Sequence, residues 1–163
     1  MQFEVSSAEI KRAQVPHNLF VSGLFLFDLL MTPAVIVMNL GMKGLLIPLL
    51  LSGALIGLIF VRGRKKTIWY VDAHWRLSFR HGLWLMTGYL VTAVLVLLAW
   101  LISLTAHEAS MRHILWTALT RIALMPTLIA VMVTAVLEGS AIGLAAKGEV
   151  PEKLLKDFPP SAA

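Results

Sequence analysis

The chain contains no cysteine. Disulfides, thiolate-bound zinc, iron–sulfur clusters, c-type haem and a cysteine nucleophile are therefore excluded. Charge is also scarce. Only 14% of the 163 residues are Asp, Glu, Lys or Arg, against roughly 25% in soluble domains. P-loop, GxGxxG, HExxH, GxSxG and EF-hand patterns are all missing, so no catalytic or nucleotide-binding signature is present. No repeat with a period of 20–50 residues occurs.

What is abundant is hydrocarbon. Apolar residues make up 58% of the chain, and the mean hydropathy is +0.82. A bilayer core of roughly 30 Å needs about 20 apolar residues in a helix. Four segments meet that length: 19–40, 44–61, 83–104 and 114–137. The remaining pieces are all shorter than the ~40 residues below which a domain rarely folds alone. The expected architecture is an all-α integral membrane protein, a four-transmembrane-helix antiparallel bundle. A loop (62–82) and a tail (138–163) lie outside the hydrocarbon. The first apolar stretch follows a polar leader bearing Glu4 and Glu9 and lacks a small-x-small cleavage pattern, so a cleaved signal peptide is not expected.

Basic residues set the orientation. Eleven of the 14 Lys and Arg fall in the leader, the 62–82 loop and the tail; Lys43, Arg112 and Arg121 fall elsewhere. Both termini are thus expected on the cytoplasmic side of an inner (plasma) membrane. The Arg62–Lys66 run faces an anionic inner leaflet, and the net charge of +5 needs no nucleic-acid partner. Ser6 and Glu9 form a capping-box pattern that opens a short helix. In the loop, Ile68, Val71, Trp75 and Phe79 share one helical face, with Trp69 as a headgroup anchor. An amphipathic interfacial helix between spans two and three is expected, one that could continue into span three. On another face Asp72 is placed to pair with Arg76. In the tail, Pro151 is placed to open a helix carrying Leu154, Leu155 and Phe158.

Ionisable residues inside hydrocarbon are costly and mark candidate sites. Asp28 lies mid-span and Arg121 in the outer half of span four; their depths allow an intramembrane polar pair. Thr32 and Asn39 share the face of Asp28. Thr120, Thr127, Thr134 and Glu138 form a second polar face. Pro33 and Pro126 each follow a charged residue by five positions and release a helical carbonyl. Two GxxxG pairs, Gly53/Gly57 and Gly139/Gly143, offer small-residue packing either inside the bundle or to another chain. His17 and His81 both sit at the inner edge and are the axial-ligand alternative for a b-type haem. His107, Glu108 and His113 are the corresponding metal alternative. Interfacial histidines commonly sit in the headgroup layer, so neither cofactor is expected.

The functional expectation is a non-catalytic accessory or anchor subunit of a larger membrane complex, its partners being lipid and other subunits or copies of itself. The alternatives are a small oligomeric transporter or channel using Asp28, Arg121 and Glu138, and a b-haem or quinone-linked redox protein.

Overall fold

A computed structural model describes residues 2–38 and 40–160. They are helical almost throughout: α1 (Ser7–Gly23), a π-helical segment (Leu24–Met31), α2 (Thr32–Val37), α3 (Gly41–Gly63), α4 (Trp69–Leu104), α5 (Ala109–Ala123), α6 (Met125–Ala146) and α7 (Glu152–Asp157). There is no sheet among the described residues; one isolated backbone bridge joins Gln2 to Glu149. Four stretches are long and apolar enough to cross a membrane: Ser7–Val35, Lys43–Gly63, Trp69–Leu104 and Ala109–Ala146.

Local chemistry explains the helix boundaries. The backbone N–H of Ser6 donates to Glu9 Oε2 at 2.7 Å, and Glu9 N–H donates to Ser6 Oγ at 3.3 Å, which completes the capping box. Pro33 has no N–H to give to the Leu29 carbonyl, and just before it the register slips. The N–H and the hydroxyl of Thr32 both donate to the Phe27 carbonyl, five residues back. Asp28 lies inside this π-helical segment. Pro126 acts similarly at the α5–α6 junction, where the helix is interrupted at Leu124.

The chain divides into two compact units. The first comprises Met1–Gly82 and Ala135–Ala163, the second Leu83–Thr134. In the first unit, the leader, the start of α4 and the tail form a shared core. Ala13, Tyr70, Ala73, Leu77, Ala141, Ala145, Val150 and Leu154 are all buried there. The Tyr70 hydroxyl donates to the Ala145 carbonyl at 2.9 Å, and Trp69 Nε1–H donates to the Pro159 carbonyl at 3.0 Å. Gly148 takes a positive φ of 72°, which lets Phe3 N–H reach its carbonyl at 2.8 Å. In the second unit α4 and α6 approach closely at Gly88. A Cβ there would collide with Ala130, and the Thr127 hydroxyl bonds Thr92 Oγ1 at 2.8 Å.

In the 62–82 segment a helix begins at Trp69 and continues without a break into span three: α4 runs from Trp69 to Leu104 over 36 residues, about 54 Å at 1.5 Å each. Val71 and Trp75 of the predicted stripe are buried, and Ile68 and Phe79 half-buried, but Asp72, His74 and Ser78 on other faces are buried too. This stretch is a core helix of the first unit. A one-face apolar spacing could not register that polar residues of this stretch also face protein. Asp72 pairs with Thr67 rather than Arg76, accepting from its N–H and its hydroxyl at 2.7 Å each. This arrangement ties the segment before α4 to its first turn.

Candidate functional site

The first unit holds a buried chain of four ionisable side chains. Glu138 of α6 is fully enclosed. His17 Nδ1 of α1 lies 2.6 Å from its Oε2, and His81 Nδ1 of α4 lies 2.9 Å from its Oε1. The other ring nitrogen of His17, Nε2, lies 2.9 Å from Nδ1 of His74, which precedes His81 by two turns of α4. His17 and His74 are buried as completely as Glu138, and their rings meet edge to face. Tyr70 packs its ring edgewise against His74. Each residue is held by a regular helix, so the cluster ties α1, α4 and α6 together.

The hydrogen-bond inventory constrains the protons. With Glu138 ionised, its carboxylate only accepts, and His17 and His81 then each present Nδ1–H to it. Such charge-assisted bonds are shorter and stronger than neutral ones. With His17 neutral, its Nε2 accepts from His74 Nδ1–H. With His17 doubly protonated, the direction of that bond reverses and His74 accepts. The two arrangements differ by one proton and need no movement of heavy atoms. His74 Nε2, at the end of the chain, is buried without a hydrogen-bond partner; the Glu149 backbone approaches this ring without meeting hydrogen-bond geometry.

This arrangement bears on the haem alternative. His17 and His81 are brought together, but by a shared carboxylate. Both nitrogens of His17 are engaged by protein groups, so it has no lone pair to give to iron in this geometry. Among the described residues, no three His, Asp or Glu side chains form a metal-holding group, His107, Glu108 and His113 included.

The other predicted residues are distributed as follows. Asp28 belongs to the first unit and accepts from Ser52 Oγ of α3 at 3.2 Å; Arg121 belongs to the second, in the last turn of α5. Asn39 lies outside the described residues. The hydroxyls of Thr32, Thr120 and Thr134 bond carbonyls of their own helices, at 3.0, 2.6 and 2.7 Å. This is a common resting place for hydroxyls in apolar helices. Thr127 bonds Thr92. The four glycines of the GxxxG pairs are open: a Cβ on Gly53, Gly57, Gly139 or Gly143 would meet nothing within 4 Å. Glycines elsewhere do permit close packing, among them Gly23 against Leu55, Gly44 against Leu40 and Val35, Gly82 against Ile56 and Phe20, and Gly88 against Ala130.

Sequence reasoning missed His74 and Ser52. The seven-residue spacing of His74 and His81 places both on one face of α4, a usable signal. Nothing comparable links Ser52 to Asp28 or Glu138 to His17.

The structure thus defines an all-helical protein with four helices able to cross a membrane, a multi-pass membrane protein by length and composition. No protein family, curated protein or solved structure matches the chain.

Proposed function

We propose that the chain is a non-catalytic accessory or anchor subunit of a larger inner-membrane complex, with its leader, 62–82 segment and tail on the cytoplasmic side. The observation that carries this reading is the open state of both GxxxG pairs. Small residues at four-residue spacing let helix backbones approach closely, yet among the described residues nothing lies within 4 Å of where a Cβ would stand at any of the four. The His17–Glu138–His81 chain supports the same reading: its donors and acceptors engage one another, which suits a lock between helices better than an open substrate site. The test is purification of the tagged chain in mild detergent, with mass by light scattering. A membrane partner should co-purify at fixed stoichiometry and be lost on Gly57→Leu or Gly143→Leu, while the yield of folded chain is unchanged. A monodisperse monomer, or a partner indifferent to both substitutions, refutes the reading.

A second reading, a small transporter or channel, is favoured by one observation: the mid-span carboxylate Asp28 lies in a π-helical segment, a distortion frequent at functional sites. In that case purified chain in proteoliposomes conducts ions, and Asp28→Asn abolishes flux while preserving the fold. Flux unaffected by Asp28→Asn, or no flux at all, removes it.

A further inference from the structure

At the basic end of the first unit a cleft of about 360 Å³ opens between the last turn of α3, the start of α4 and α7. That volume falls among ligand-binding clefts, roughly 300–1,000 Å³. Arg64, Arg76 and Arg80 line it together with Asp157, Phe60 and Phe158. Three guanidinium groups thus face a single carboxylate. Asp157 bonds Arg80 at 2.8 Å, in a pair open to solvent.

The other two arginines have no acid partner among the described residues. Instead each lies on an aromatic ring. The Arg64 guanidinium is 4.4 Å from the Phe60 centroid and that of Arg76 is 3.9 Å from the Phe158 centroid. A ring against its face holds a guanidinium flat and leaves its donors in the plane for a planar or tetrahedral oxyanion. Arg76 also carries a buried Nε–H that finds no acceptor. An unsatisfied buried donor is costly, so a ligand oxygen there offsets a defect already present in the fold.

We propose that this cleft binds the phosphate of an anionic phospholipid, with Arg64 and Arg76 as the headgroup ligands and Phe60 beside the start of the acyl chains. The position argues for lipid. The cleft begins where the apolar run of α3 ends, Val61 just before it is exposed, and the Arg62–Lys66 run follows at once. Polar and apolar walls therefore meet at the depth where headgroup and hydrocarbon meet. The proposal requires only that α3 crosses a membrane, and it stands whether or not the chain is a subunit.

The test is native mass spectrometry of the purified chain titrated with dioleoyl-phosphatidylglycerol, dioleoyl-phosphatidylcholine, inorganic phosphate or glycerol phosphate. One phosphatidylglycerol should be retained per chain, in preference to phosphatidylcholine. Arg64→Gln with Arg76→Gln should weaken retention by about 100-fold or more, through the loss of two charge-assisted hydrogen bonds to the phosphate. Lys65→Gln with Lys66→Gln removes equal charge beside the cleft and should weaken retention far less than the arginine pair does, because neither lysine lines the cleft. Equal loss in both double variants shows general surface attraction and overturns the proposal. So does equal retention of the two lipids by the wild-type chain, a result that stands even if the arginine variants fail to fold. Displacement of phosphatidylglycerol by inorganic phosphate or glycerol phosphate at matching concentration marks a soluble-phosphate site and also overturns it.

Discussion

His17 Nδ1 and Glu138 Oε2 lie 2.6 Å apart although 121 residues separate them in the chain. The contact joins the leader helix to the last long helix, and both side chains are fully buried. A buried charge is tolerated only when it is paired and hydrogen-bonded. Removing one partner is therefore much worse than never having had either.

Glu138→Ala leaves the Nδ1–H groups of His17 and His81 without an acceptor, and should lower stability by about 3–5 kcal/mol. Glu138→Gln keeps one acceptor oxygen but places an amide against one imidazole, costing about 1–3 kcal/mol. Unfolding midpoints in one detergent at one pH check the order wild type, Gln, Ala. An Ala variant as stable as wild type would show that the cluster contributes nothing to the fold.

The tautomers can be read directly. In protein labelled with 15N-histidine, His17 and His81 should both show protonated Nδ1, because a carboxylate oxygen faces each. Glu138→Ala should abolish the Nδ1–H preference at His81, while His17 stays bonded to His74 through Nε2. An unprotonated Nδ1 on either ring in the wild type would contradict the assigned donors.

Glycine positions should divide into two groups. Gly88→Leu forces a side chain into Ala130 and should cost about 1–3 kcal/mol by overpacking. Gly57→Leu meets open space and should leave the stability of the isolated chain within about 0.5 kcal/mol of wild type. Thermal unfolding of the two variants in detergent measures both. Equal destabilisation would mean that the Gly53/Gly57 face is packed within the chain after all.

Topology can be tested with single cysteines, since the chain has none of its own. Lys66 and Ser110 are both exposed, whereas Ser78 is fully buried and would report nothing. Lys66→Cys should be shielded from an impermeant thiol reagent added outside intact cells, and Ser110→Cys should be labelled. The reverse pattern inverts the orientation and puts the arginine cleft on the outer leaflet.

Apolar run length alone was enough to indicate four helices able to cross a membrane, because a helix must satisfy its backbone internally in hydrocarbon whatever surrounds it. The Ser6–Glu9 capping box and the tail helix after Pro151 were legible for the same reason, each depending on neighbours within four residues or so. The assembly of leader, 62–82 segment and tail was not. None of these pieces could bury a core alone, and their shared core forms only when α1, α4 and α6 bring Ala13, Tyr70 and Ala145 together. Glu138 and His17 were each visible as candidates, but their pairing was not, since hydropathy and periodicity describe one helix at a time. The open GxxxG faces make the same point in reverse: the spacing shows where a helix can be approached, and the neighbouring side chains decide whether anything in the chain does so. Local backbone chemistry and the bilayer's demand for apolar length are written along the chain; the partners of its buried charges depend on which helices meet, and at what depth.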